Sequence, residues 1–183
     1  MLFRSQLTDT PQNYLDPAAD RSVGDNDIRH RATLSFVAES PETWVSPLRD
    51  LRLSMLNTLQ SPRYYSILAG FNVLGDGFPF SDRTGTVGRN SYRGASNYDS
   101  DIRLQRVFHF ADHLSLESAI EGFNLFNHRN VQSIDQVYGA PDFLGPIPRQ
   151  FGDGIGSPAN PTFATPNFTG PARQLQASVR MSF

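Results

Sequence analysis

Two histidines four residues apart, His109 and His113, enclose Asp112. On a helix this spacing would set two imidazoles on one face as metal ligands. The flanking residues alternate with period 2, so the pair instead brackets a turn between strands and reads as polar residues at a rim. Glu117 and Glu121 share a strand face, but four residues span about 13 Å at the usual strand rise, too far for paired glycosidase carboxylates. They read as facing water. The run Asn72-Val73-Leu74-Gly75-Asp76-Gly77 has the glycine turn of a calcium loop, yet Leu74 occupies a position where an oxygen ligand is needed, and a plain loop is expected. Gly152-Asp153-Gly154-Ile155-Gly156 has neither the spacing nor the following helix of a phosphate-binding loop. No spacing brings a nucleophile, a base and an orienting group together, so the chain is expected not to be an enzyme, with no catalytic, cofactor or metal residues assigned.

The composition narrows the setting. Of 183 residues, 38% are hydrophobic and 19% charged, with 14 Gly and 13 Pro, a loop-heavy mixture for a compact water-soluble core. The 16 basic residues are all Arg and face 18 acidic ones, a net charge of -2 that excludes a strongly basic nucleic-acid footprint. No apolar run approaches the ~18 residues of a membrane-spanning helix. Strands of a membrane barrel need only about 9 to 11 alternating residues, so a mean hydropathy of -0.39 does not decide against a barrel. The absence of cysteine excludes disulfides and thiolate sites. Residues 1 to 9 lack the basic and apolar regions of a secretory signal.

The elements that must position these residues are strands. Residues 1–27 are polar and aperiodic, and are expected to be a loop. Ile28, Ala32, Leu34, Phe36 and Ala38 then alternate with Arg and hydroxyl residues, predicting a strand over 28–38. Leu51, Leu53, Met55 and Leu59 predict a second over 49–61. Ile102, Leu104, Phe108 and Phe110, then Leu114, Leu116 and Ile120, predict a tight hairpin, 101–110 with 114–124, whose slip at Gly122 suggests a bulge. Arg106 falls on the apolar register, to be accommodated by a local bulge or a position near the rim. Leu175, Ala177, Val179, Met181 and Phe183 alternate perfectly with polar residues, predicting a last strand over 172–183. Between these runs, 66–100 and 125–171 read as long loops rich in Gly, Pro, Asn and Ser.

Strands of about ten residues joined alternately by short and very long connections match outer-membrane barrels. The fold class expected is therefore all-β: antiparallel amphipathic strands, about five, forming the C-terminal portion of a transmembrane β-barrel with two long extracellular loops. On this reading the connections at 39–48 and 111–113 are periplasmic, residues 1–27 are the remnant of an extracellular loop, and 28–183 are barrel. Glu117 and Glu121 then face the lumen, and Phe108, Phe110, Phe123 and Phe126 sit at the interfaces. Five strands cannot close a sheet in lipid, so upstream barrel strands are expected to be missing.

The segments Asp27-Ile28-Arg29-His30-Arg31, Val87-Gly88-Arg89-Asn90-Ser91, Asp101-Ile102-Arg103-Leu104 and above all Glu121-Gly122-Phe123-Asn124-Leu125-Phe126-Asn127-His128-Arg129-Asn130 resemble the C-terminal barrel of TonB-dependent receptors of the Oar-like group. The ending Gln176 to Phe183 is similar to that family's closing strand, and the resemblance spans roughly residues 14 to 183. It implies a wall of a barrel for energy-coupled uptake in the bacterial outer membrane, not transport-competent alone. It also implies that Val179, Met181 and Phe183 are the signal read by the barrel-assembly machinery, through an amphipathic edge strand suited to β-augmentation. The implied partners are outer-membrane lipid, the assembly machinery, a missing N-terminal barrel and plug segment, and TonB through that missing part alone. No cofactor and no nucleic acid are expected, and the substrate is not legible. The alternative is a soluble β-sheet module whose loop tyrosines, Tyr64, Tyr65, Tyr92, Tyr98 and Tyr138, hold a glycan or peptide.

Overall fold

The computed structural model describes residues 12–13, 15–41, 43–45, 48–77, 82–111, 113–153 and 158–183. The described chain is all-β apart from a 3-10 turn at Pro17–Asp20. Among the described residues nine strands run in the order β1 Arg31–Glu39, β2 Leu51–Gln60, β3 Tyr64–Tyr65, β4 Tyr92–Arg93, β5 Asn97–Ala111, β6 Leu114–Phe123, β7 Val131–Ile134, β8 Pro166–Thr169 and β9 Gln174–Ser182. They divide between two compact units.

One unit, made of 30–60, 97–130 and 170–183, is a five-stranded sheet in the order β1-β2-β5-β6-β9, every pair antiparallel. Residues opposite one another across such a ladder point to the same face. The register therefore turns the alternation of each strand into continuous rows: Ala38, Leu53, Leu104, Ile120 and Ala177 in one, and Phe36, Met55, Ile102, Gly122 and Leu175 in another. The intervening rows are polar, such as Ser54, Arg103, Glu121 and Gln176. Arg31, Gln60 and Asn97 form the last row at one end, where Phe123 and Gln174 also pair, so the long excursions leave and return there. The links at the other end are short, through 40–50 and 112–113.

The expected bulge at Gly122 is not found. Gly122 pairs in continuous register with Ile102 on one side and Leu175 on the other, and the one register shift of the hairpin lies between His109 and Ala111. The apolar stripe fades at Gly122 for a packing reason: a Cβ there would come within 3.3 to 3.4 Å of Leu175, Ile102 and Leu125, whose side chains close over the position. Phe123 then falls on the polar face by ordinary alternation.

The other unit gathers 1–29, 61–96 and 131–169, the stretches expected to be loops. It has its own core of Ile67, Tyr92, Val131, Ile134, Tyr138, Ala140, Phe163 and Ala164. The rings of Tyr138 meet those of Phe143 and Phe163 edge-on at 5.0 and 5.4 Å, and Tyr92 meets Phe163 at 5.8 Å. Its backbone is knitted by the pairs β3 with β4 and β7 with β8. A central run, 67–69, bonds on one side to 82–84 and on the other to 136–138: Thr84 N donates to Ile67 O at 3.0 Å and Tyr138 N to Leu68 O at 2.7 Å. Residues 15–27 are tied in by ion pairs of Asp20 with Arg83 and of Asp25 with Arg89. Irregular sequence here has produced a folded unit because side-chain caps and local turns satisfy the backbone groups that long strands would otherwise pair.

Within that unit Asp135 accepts hydrogen bonds from Val137 N at 3.0 Å, Thr162 Oγ1 at 2.7 Å and Asn160 Nδ2 at 3.0 Å. Burial pushes its carboxyl up, but these three donors outweigh it and hold the group below the ordinary carboxylate range. A carboxylate depressed in the folded state contributes stability above its unfolded pKa, about 3.9, that is lost as pH falls through the folded value. Acid titration of the loop unit, followed by tyrosine fluorescence, should thus show a stability loss below about pH 4 that flattens in Asp135→Asn.

Candidate functional site: a two-faced sheet and its stapled end

The two faces of the sheet are chemically opposite. The apolar face carries Leu34, Phe36, Leu53, Leu104, Ile120, Val179 and Met181, with nothing among the unit's described residues packed over it: Ile120 is 62% exposed, Val179 71% and Met181 62%. In water so continuous an apolar surface is unfavourable, at roughly 25 cal/mol for each Å² left exposed. It is suited to hydrocarbon. Among the described residues no helix is long and apolar enough to cross a membrane, which leaves a β-barrel crossing open.

The opposite face holds fixed charge. Arg103 donates from Nη1 to Glu121 Oε1 at 2.7 Å, from Nη2 to Glu117 Oε1 at 3.0 Å and from Nε to Gln105 Oε1 at 3.2 Å. The two glutamates, four residues apart on β6, thus clasp one guanidinium from the neighbouring strand. Charge-assisted hydrogen bonds of this kind fix the two carboxylates, and the single cation offsets part of their charge. Glu39 and Arg52, opposite each other on β1 and β2, add a pair at 3.2 Å. Glu117 also stands opposite Arg180 of β9.

His109 lies on β5 in a polar row with Ser115 and Ser182, and His113 is exposed in the turn, while Asp112 lies outside the described residues. No cluster of three or more metal-ligating side chains occurs among the described residues. In the 72–77 loop the oxygens that would face a cation accept backbone donors instead: Asn72 Oδ1 takes Gly75 N at 2.7 Å, and Asp82 Oδ2 takes Val73 N and Leu74 N at 2.5 and 2.9 Å. Asp153 likewise caps Gln150 N at 3.1 Å, and 154–156 lie outside the described residues. Arg106 stays on the apolar face, paired in regular register with Leu51 and Ser118, so no bulge redirects it. Its guanidinium lies over the Phe108 ring at 4.6 Å, a cation–π contact that shields the charge.

Sequence reasoning missed why the Asn-rich segment after β6 has its particular spacing. Asn124 and Asn127 both adopt left-handed backbone, φ 47° and 52°, which asparagine tolerates better than most residues. Asn124 Nδ2 donates to His128 O and Pro171 O at 2.9 and 3.0 Å, and its Oδ1 accepts His128 N at 2.9 Å. Asn127 Oδ1 accepts Arg173 N and Asn130 Oδ1 accepts Tyr98 N, at 3.0 and 2.8 Å. Three asparagines at intervals of three thereby staple the ends of β5, β6 and β9 together. Loss of one staple should cost about 1 to 3 kcal/mol, because several backbone groups lose their partners at once. Asn124→Ala is the variant that tests this, read as a lowered urea midpoint of the folded barrel.

This architecture coincides with a sequence match: residues 60–176 fit the family model described as outer membrane beta barrel domain. The chain belongs to the outer membrane beta barrel domain family. It is a protein of the bacterial outer membrane. No curated protein and no solved structure matches it significantly. The matched stretch runs from the end of β2 to the start of β9, and the alternation and register continue beyond it in both directions.

In this barrel family the apolar rows are the lipid face and the Arg103 fork lies on the water side. The sheet is open, with β1 and β9 at its edges. Val179 and Met181 lie on the lipid face of β9, in rows with Ser118 and Leu116, and Phe183 follows the strand, fully exposed. Phe110 lies near the short-linked end, where Trp44 and Val45 are also exposed, while Phe108 is half-buried beneath Arg106. Phe126 lies at the other end, its ring 5.8 Å from that of Tyr98. The five loop tyrosines separate: Tyr92 and Tyr138 are core, Tyr98 is on β5, and Tyr64 and Tyr65 line a cavity.

Proposed function

We propose that the chain forms the C-terminal wall of a TonB-dependent receptor of the Oar-like group, in which it contributes barrel strands and the folded loops between them. The observation that carries this reading is the register-aligned pair of faces, apolar rows alternating with a charge-balanced polar side over five antiparallel strands. The segment Glu121 to Asn130, which resembles that group, supports the finer assignment, since its asparagines perform a specific fastening rather than filling a variable loop. The open edges of β1 and β9 pair with further strands, because unpaired edge groups in hydrocarbon cost several kcal/mol each. Val179, Met181 and Phe183 serve as the assembly signal, with β9 offered as an edge to the barrel-assembly machinery. Plug and TonB contact reside in other parts of the receptor, so the chain alone neither transports nor catalyses.

Fractionated cells, blotted with an antibody to residues 125–171, test the reading. An outer-membrane band several times larger than 20.4 kDa is expected. A 20.4 kDa band in the soluble fraction would overturn it.

A further inference from the structure

The loop unit contains a cavity of about 180 Å³ bounded by Asp25, Asn26, Arg63, Tyr64, Tyr65, Asn90, Gln132, Ser133 and Gln136. Three of these form a fixed frame. Asn90, buried and at φ 50°, receives Ser66 Oγ on its Oδ1 at 3.1 Å and donates from Nδ2 to Val23 O and Asp25 Oδ1, both at 2.7 Å. Asp25 is held further by Arg89 at 2.9 Å, so the one carboxylate of the lining is already neutralised. Tyr65 donates its hydroxyl to Gln132 O at 3.1 Å, bracing β7 against β3. Tyr64 is braced by the Arg29 guanidinium, 5.5 Å from its ring centre.

The remaining polar groups of the lining are unspent. Among the described residues, the amides of Asn26, Gln132 and Gln136, the hydroxyls of Ser133 and Tyr64 and the guanidinium of Arg63 have no hydrogen-bond partner. Amides and hydroxyls both donate and accept, which is the complement of a ring of vicinal hydroxyls, each also donor and acceptor. Arg63 is the lining's one cation and lacks a carboxylate partner. Its charge is felt at Tyr65, where it opposes the upward push of burial on the hydroxyl pKa. The volume lies below the roughly 300 Å³ at which pockets for drug-sized ligands begin, a scale that suits a single sugar ring.

We propose that this cavity binds one acidic monosaccharide unit, of the uronic-acid kind, its carboxylate paired with Arg63 and its hydroxyls with Gln132, Ser133, Gln136 and Asn26. The proposal names the ligand class of the uptake barrel and rests on that reading for its biological purpose alone. The assay is equilibrium binding, so a failure of TonB-dependent uptake leaves binding intact, and a failure of binding leaves the receptor assignment intact.

The test is calorimetric titration of the full-length protein extracted from outer membranes with sodium glucuronate, glucose and sodium acetate. Glucuronate should bind, glucose roughly tenfold or more weaker, and acetate not detectably, because one charge-assisted hydrogen-bonded pair accounts for about that factor. Arg63→Met should bring glucuronate to the level of glucose, and Gln136→Ala should weaken both sugars together. Arg63 is exposed, and retention of the heat-modifiable barrel band verifies folding of each variant. Equal affinity for glucuronate and glucose, binding of acetate alone, no sugar binding by the folded protein, or indifference to both substitutions would each overturn the proposal.

Discussion

Leu104→Arg should lower the stability of the inserted barrel by about 2 to 4 kcal/mol, while Gln105→Arg, one residue away, should change it by less than about 1 kcal/mol. Leu104 sits on the middle strand of the sheet, in the row Leu53, Leu104, Ile120, and is 44% exposed on the face that meets lipid. A guanidinium there would stand in hydrocarbon with apolar neighbours. Gln105 points the other way, among Arg103, Arg52 and Ala119, where water and counter-charges are present. The measurement is a urea titration of each variant in lipid vesicles, with the heat-modifiable band in outer-membrane fractions as the cellular counterpart. Equal effects at 104 and 105 would mean that the two faces meet the same solvent. Arg106 does not contradict the expectation, since it lies nearer the short-linked end and is stacked on Phe108.

The sheet was largely legible because its information is local. Period-2 alternation between two unlike solvents is written into each strand separately, and the runs around Leu34, Leu53, Leu104, Ile120 and Val179 carry it without help from neighbours. The ends were less legible. β5 begins at Asn97 rather than 101, since Ser100 occupies an apolar-row position, buried beside the turn it supports through Leu125 N at 2.8 Å. The Arg103 fork was not legible beyond the placement of its glutamates: which cation they face depends on register, and register is a relation between strands. The cavity's Tyr64 and Tyr65 stood out as loop aromatics, but nothing local separated them from Tyr92, whose hydroxyl burial drives up to about 12. The loop unit was illegible for the same reason on a larger scale. Ile67, Tyr92, Val131, Tyr138 and Phe163 come from separate aperiodic segments, each reading as loop because it contributes only one or two residues to the core.

That loop unit makes the second large prediction. Tyr138→Ala should cost it about 3 to 5 kcal/mol, the usual range for removing a fully buried aromatic side chain. Tyr138 is 1% exposed, meets Phe143 and Phe163 edge-on, and accepts Leu144 N on its hydroxyl at 3.2 Å. Its neighbour Gly139, at φ 89°, packs against Asn160, where an added Cβ would come within 2.8 Å of the Asn160 nitrogen. A small unit with a core of this size has stability of only a few kcal/mol, so the loss should unfold it. The sheet draws its stability from strand ladders and lipid, and it should survive. Limited proteolysis of intact cells should then cut the variant within 66–96 and 131–169 while the heat-modifiable barrel band persists. Unchanged protection would refute a cooperative core in these segments. Loss of the barrel band together with protection would show that the sheet cannot form without the unit, making loops and wall a single folding event.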